Sequence, residues 1–336
     1  MKATRLVFRL MASALVTFSS ALGAGAAAPA QISLTVRDMT GLDARRPVTG
    51  GIPLAVGAAP ADSQFILNDD RGAEVPCQTS VLARWKDGSI RWLLLDFQAG
   101  PPPNGTARFA LTPGTGKRLP VPEHPVTILD GEKRILRSGS IQLEPAADGV
   151  LEVGDRFVVR LVLTDEQGER CQGVVESRDV EVAGPLRGTV LLQGAFRGPD
   201  GSRGLGFQLR VSLFAGCSAV RLEPHLLVDA HAGVVHRVRG LSLEIAPRTL
   251  TKTISLNGRS LKPTDRSVRL FQVDDESYRF EGLQGTGSKA PGWAELVDAH
   301  GRAAVAVRDF WQQWPKSLES VAQGLSIGLL PTFSAG

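Results

Sequence analysis

Arg84-Trp85-Lys86-Asp87-Gly88-Ser89-Ile90-Arg91-Trp92, running on into Leu93-Leu94-Leu95-Asp96-Phe97, is the stretch that decides the fold. Two apolar runs flank a Lys-Asp-Gly-Ser turn, and Asp-Gly supplies the positive φ that a tight hairpin needs. A two-residue loop would set Arg84 opposite Arg91, an unfavourable like-charge pair. A three-residue loop of Lys86, Asp87 and Gly88, with Gly88 as a bulge, sets Arg84 opposite Ile90 and diagonal to Trp92. That register replaces a repulsion with a cation–π contact of about 0.5–1 kcal/mol and is the one expected. Two of the five tryptophans flank this one turn. It therefore reads as the heart of a barrel or sandwich, with its aromatics in the core.

The segments around it are also short strands broken by Gly and Pro. Ile32-Ser33-Leu34-Thr35-Val36 alternates as a half-buried strand does. A Gly/Pro-rich loop is expected through Val48-Thr49-Gly50-Gly51-Ile52-Pro53. Strands follow at Gln64–Leu67, Val75–Thr79 and Ala107–Leu111. Pro101-Pro102-Pro103 and Pro120, Pro122 and Pro125 bracket the last of these, which places a domain boundary near Gly116. Beyond it, strands are expected at Phe157–Leu163, Thr189–Leu192, Gly206–Leu213, Val220–Glu223 and Gly240–Ile245. No amphipathic helix longer than about three turns stands out. The chain reads as all-β: a small barrel over 31–116 and a large antiparallel sandwich over 117–336.

The first 30 residues read as a secretory signal peptide. Lys2, Arg5 and Arg9 precede an apolar run from Leu10 to about Leu22, and Ala-x-Ala sites suit cleavage before Gln31. No other segment approaches the roughly 18 apolar residues of a membrane span, and no Cys follows the run to carry a lipid. An exported product, periplasmic or extracellular and not embedded in a membrane, is expected. Removing residues 1–30 leaves 35 Lys and Arg against 34 Asp and Glu, so the net charge falls from +4 to +1. That balance argues against nucleic acid as a partner.

Cys77, Cys171 and Cys217 form no disulfide framework. Export permits a Cys171–Cys217 bridge, and three buried free thiols are the other reading. No cofactor is implied. Gly114-Thr115-Gly116-Lys117 and Gly282-Leu283-Gln284-Gly285-Thr286-Gly287 depart from the phosphate-loop pattern and read as turns. His225, His231 and His236 cluster near Glu223 and Asp229, as a metal site or an acid–base pair would require, but their spacing fits no known ligand pattern. They read as ordinary strand and loop histidines, and no metal is expected.

A second aromatic concentration lies at Val307-Arg308-Asp309-Phe310-Trp311-Gln312-Gln313-Trp314-Pro315-Lys316. Trp311 and Trp314 can stack on sugar faces while Arg308, Asp309 and Lys316 bind hydroxyls or a uronate carboxylate. The alternative is that the indoles cover the sandwich edge.

Four stretches together carry a resemblance: Gly51-Ile52-Pro53, Val75-Pro76-Cys77-Gln78, Val81–Leu93 with its Trp-x-Asp-Gly-Ser-x-Arg-Trp core, and Arg308–Lys316. The chain resembles the exo-rhamnogalacturonan lyase-like family of secreted proteins, in which Pro more often stands where this chain has Lys86. The resemblance implies a RIFT-type barrel followed by a central β-sandwich and then an (α/α)-toroid, which should begin about where this sequence stops.

The family's chemistry is β-elimination beside a uronic acid, which needs a cation or donors on the carboxylate, a base and an acid. Tyr278 and the clustered histidines are, besides carboxylates and lysines, the groups to consider, and the resemblance maps a catalytic residue onto none of them. Two readings follow. In one, the chain is the exported β portion of such a protein, acting on or binding an acidic plant-type polysaccharide, inactive alone and partnered by a separate helical toroid. In the other, it is a free-standing, non-catalytic module that binds carbohydrate or protein.

Overall fold

The computed structural model describes residues 31–114, 120–129, 134–146, 149–229, 237–262, 267–322 and 324–331, and the backbone alone of 6–9 and 16–19. Every regular element among them is a strand. No helix among the described residues is long and apolar enough to cross a membrane. The Ala-x-Ala sites, the boundary at Gly116, and His231 and His236 lie outside the described residues. Leu6–Arg9 runs parallel to Gly301–Ala306, and Val16–Ser19 runs antiparallel to Ile32–Arg37.

The N-terminal unit wraps two small sheets around its own core. In one, Thr106–Gly114 lies between Ile32–Arg37 and Gln64–Asp69; in the other, Ile90–Ala99 lies between Arg46–Pro53 and Cys77–Arg84. Successive strand side chains point to opposite faces, so Leu93, Leu95, Phe97 and Ala99 all turn inward. Phe97 meets Phe109 of the other sheet edge-on, with ring centroids 5.0 Å apart.

The segment Val48–Pro53, expected as a loop, is instead the last six residues of the eight-residue strand Arg46–Pro53. Its glycines allow a close approach: a Cβ at Gly51 would lie 2.4 Å from Trp92 Nε1. Its prolines are tolerated because the strand is at a sheet edge, where a missing N–H breaks no ladder.

The hairpin register is the expected one, with Arg84 opposite Ile90. Trp85 N donates to Ser89 O, Gly88 N donates to Trp85 O, and Gly88 has a φ of +86°. The cation–π contact, however, joins a different pair. The Arg91 guanidinium lies 4.7 Å from the Trp85 ring centre, while Arg84 Nη1 donates to the carbonyls of Ala61 and Gly88. Nor are the indoles in the core: Trp85 is half-buried, its Nε1 donating to Leu54 O, and Trp92 is exposed. Alternation from the inward Leu93, Leu95 and Phe97 sets Trp92 outward, and the ladder break that skips Leu82 and Arg91 turns Ile90 back into the core.

The remaining strands share a second core. Phe157–Asp165 is its axis. Along one edge, its first half pairs with Leu151–Val153 and its second half with Arg170–Ala183; along the other it pairs with Val238–Pro247. The divided edge splits the sheet into two leaves that close on one another. The outer leaf runs from Arg170–Ala183 through Arg187–Arg197 and Arg203–Phe214 to Val220–Leu227. Arg170–Ala183 carries no periodic signal in the sequence, because two bulges interrupt its pairing and most of its side chains face solvent. Beyond Val238–Pro247, the strands Gly324–Leu330, Lys316–Val321 and Val268–Gln272 extend the ladder, and a smaller sheet of Thr253–Leu256, Trp293–Asp298 and Gly301–Ala306 contributes Ile254, Leu296 and Val305 to the same core.

Among the described residues, side chains of Gln78, Asp96 and Gln98 tie the two units. Gln78 Oε1 accepts from Leu186 N and Arg187 N at 3.0 Å, and its Nε2 donates to Arg187 O at 3.2 Å. Gly184 leaves room for this amide, since a Cβ there would collide with it. Asp96 pairs with Arg187, and Gln98 Nε2 donates to Ala215 O. The three cysteines are all free thiols, and burial pushes that of Cys77 up to about 11.

Candidate functional site

The Asp-Gly-Ser motif is spent on structure. Asp87 accepts from the Ser89 hydroxyl and then from its N–H, which holds its carboxyl below the usual range. Buried Ser89 in turn accepts from Gly57 N. These bonds clamp the turn onto the 54–59 loop and leave no reactive group in a cleft.

The C-terminal aromatic stretch is different. Gly301–Ala306 leaves the small sheet at Val307, whose N–H donates to Gly292 O. Phe310 then plugs the core at 2% exposure, fitting against Gly292, where a Cβ would collide with its own. Asp309 takes a φ of +50°, a conformation Asp tolerates, and its carbonyl accepts from Gln313 N at 2.8 Å. This tight turn presents the polar and aromatic residues around the plug. The chain re-enters the large sheet at Lys316 through a cis Trp314–Pro315 bond.

Beside this turn opens a cleft of about 290 Å3, floored by apolar side chains including Leu222, Leu243, Val305 and Ile327 and edged by Glu223, Arg308, Gln313 and Lys316. Of the five candidate saccharide-binding residues, Arg308 and Lys316 thus share one cleft. Lys316 Nζ donates to Leu329 O at 2.8 Å, and desolvation lowers its pKa. Arg308 Nε donates to Asp309 Oδ2 at 3.2 Å, so Asp309 orients the guanidinium from outside the cleft. Trp314 stands at 46% exposure, whereas Trp311 is half-buried with Lys289 Nζ 4.4 Å from its ring centre. Neither indole lines the cleft. The arrangement offers two cations to a carboxylate and one open indole face to a sugar ring.

Glu223 and Gln313 belong to this rim and are absent from the sequence-based candidates. Glu223 drew notice only as a neighbour of the histidines; it is paired with Arg221 at 2.6 Å. His225 is exposed and sits in register with Gln208, while Asp229 accepts from Gly206 N at 2.7 Å. Among the described residues no group of three or more His, Cys, Asp or Glu is placed to hold a metal. Tyr278 lies elsewhere, edge-on to Phe280 with centroids 6.0 Å apart. Gly282–Gly287, expected as a turn, bends at Gly282 and ends in the short strand Thr286–Gly287.

Residues 33–111 match the PcRGLX-like N-terminal RIFT barrel domain, and residues 149–279 match the PcRGLX-like protein central beta sandwich domain. No curated protein matches the chain. The first match spans the hairpin and its core; the second spans the axis strand and the outer leaf. The 307–316 turn lies beyond both.

Proposed function

Since this chain belongs to the PcRGLX-like family through both its barrel and its sandwich, we propose that it is the exported β portion of a rhamnogalacturonan lyase-like protein and holds an acidic polysaccharide without cleaving it alone. The observation that carries this reading is the pairing of Arg308 and Lys316 on one cleft rim beside exposed Trp314. A uronate carboxylate reaching the rim would meet two cations, one of them poorly solvated and therefore stabilised by an incoming anion. An adjacent sugar face would rest on Trp314. β-Elimination would fall to a separate helical toroid, which makes that unit the expected partner.

The test is calorimetric titration with rhamnogalacturonan oligosaccharides. Trp314→Ala and Lys316→Met should each weaken binding about tenfold while leaving the melting temperature near that of the parent. Phe310→Ala, by contrast, should cost about 3–5 kcal/mol of stability. Equal affinity for the parent, Trp314→Ala and Lys316→Met would sink the proposal. Ultraviolet absorbance of an unsaturated uronate product, generated by the purified chain, would refute the non-catalytic part.

The apolar floor of the cleft favours a second reading, a free-standing exported module that grips a protein partner or the apolar face of a sugar. Binding that ignores the uronate carboxylate and survives high salt would select it.

A further inference from the structure

A second cleft, of about 250 Å3, lies at the other end of the Trp293–Asp298/Gly301–Ala306 hairpin, lined by Ser140, Gln142, Asp155, Arg156 and His300 together with apolar and glycine backbone. Four strand steps separate Gly301 from Val305, the nearest residue on that strand to line the first cleft, about 13 Å along the strand. Its walls come from three turns: the one ending at Ser140, the Gly154–Asp155 turn, and the Ala299–His300 turn.

The lining is polar and mixed, with a hydroxyl, an amide, a carboxylate, a guanidinium and an imidazole around a volume just below the usual range for small-molecule pockets. The guanidinium is held in place. Arg156 Nη2 donates to Asp298 Oδ1 at 2.8 Å, and the group lies 4.8 Å from the Phe157 ring centre. His300 N donates to the same Asp298 oxygen at 2.8 Å, which fixes the turn that carries the imidazole. Gln142 Oε1 accepts from Arg137 Nε at 2.8 Å, which leaves the amide NH2 able to donate into the cleft. The charges also speak to the ligand. Arg156 is already neutralised by Asp298, and Asp155 adds a further carboxylate, so the cleft is poorly suited to an anion.

Behind this lining lie polar atoms with no partner of their own. Asp298 has a side chain only 2% exposed, yet its Oδ2 accepts no hydrogen bond, and Arg156 Nε donates none. Thr249 Oγ1 and Thr251 Oγ1 are also unpaired, on the loop whose Arg248 N donates to Arg156 O and whose Lys252 N donates to Val297 O. Buried polar groups left unpaired are costly, and a polar cleft beside them gives water or ligand hydroxyls a place to satisfy them.

We propose that this cleft is a saccharide subsite that takes one uncharged, hydroxyl-rich sugar unit, separate from the uronate-binding rim at Lys316. Sugar hydroxyls both donate and accept, which matches a wall of alternating donors and acceptors; a carboxylate would face Asp155. The choice of ligand rests on the lining and the family reading together, but the site is tested independently of Trp314.

The experiment is titration of the full chain with rhamnose, galactose and galacturonate, followed by calorimetry and by NMR of the His300 imidazole. Rhamnose or galactose should bind more tightly than galacturonate and shift the His300 signals. His300→Ala and Ser140→Ala, both at exposed positions, should each weaken that binding about tenfold. Trp314→Ala should leave it unchanged even where it weakens oligosaccharide binding at the other cleft. The proposal is overturned by a preference for galacturonate, by unchanged affinity in both variants, or by no binding of either neutral sugar at saturating concentration.

Discussion

Arg187 and Asp96, from different folding units, form a two-pronged bridge. Nε and Nη2 of the arginine reach Oδ1 and Oδ2 of the carboxylate at 2.8 and 3.0 Å, with side chains 13% and 5% exposed. Thr49 donates to the same carboxylate from the neighbouring barrel strand. A bridge with both partners desolvated is sensitive to loss of either, because the survivor keeps its charge and loses its compensation.

Asp96→Ala should therefore destabilise the chain by about 3–5 kcal/mol and uncouple the two units. Denaturant unfolding followed at the barrel indoles and at the sandwich should separate into two transitions. A single transition at the parental midpoint would show that the bridge holds nothing together.

Gly51 makes room for Trp92. Gly51→Ala should push the indole off the strand, change its fluorescence and destabilise by about 1 kcal/mol, within the ordinary range for overpacking. In a double-mutant cycle, Gly51→Ala on a Trp92→Ala background should cost little more than Trp92→Ala alone. Additive losses would place the cost in the backbone instead.

Asp38 predicts an acid-sensitive barrel. Its carboxylate accepts foremost from Asn104 N, then from the Thr40 hydroxyl, and also from the N–H groups of Thr40 and Gly41, with Arg46 paired at 3.0 Å. These bonds hold its pKa well below the usual carboxylate range. The depressed folded value means that the stabilisation is fully present above the unfolded pKa of about 3.9 and is lost as pH falls below it. The stability gap between the parent and Asp38→Asn should be constant above about pH 5 and shrink steadily below about pH 4. A gap independent of pH would exclude the carboxylate charge as its source.

Lys316 gives the opposite sign at the candidate cleft. Desolvation lowers its pKa, and an acidic ligand that pairs with the ammonium favours the protonated form and so raises it again. Affinity for uronate oligosaccharides should fall as pH rises through the lowered Lys316 value, and should stay level over the same range in Lys316→Arg, whose guanidinium does not titrate there. Parallel profiles for the two chains would remove Lys316 from the site.

Much of the architecture was legible from local pattern. Alternation at Ile32–Val36 and the turn chemistry of Asp87-Gly88 each report on residues a few positions apart, and the like-charge argument at Arg84 and Arg91 was enough to choose the hairpin register. The errors share a cause. Val48–Pro53 read as a loop because Gly and Pro were weighed as breakers, when Gly51 answers to Trp92, about forty residues away in the chain. Arg170–Ala183 went unmarked because an outward-facing, bulged strand has no apolar period to show.

The candidate site was half legible. Arg308 and Lys316 stood out by composition, and the structure places both on one cleft. Glu223 and Gln313 did not, since nothing local says that a strand near residue 223 will face a turn near residue 313.

The sequence alone determined an all-β chain, the hairpin register and the residues that mark its family, because strand alternation, turn φ angles and charge pairing are local physics. Tertiary structure alone decided that Gln78 and Asp96 clasp the 186–187 backbone and side chain, that Phe310 is the plug while Trp314 is left open, and that Arg156 and His300 meet over Asp298 at a second cleft. Those outcomes depend on which distant surfaces exclude water from one another, and burial of that kind has no signature in any short window of the chain.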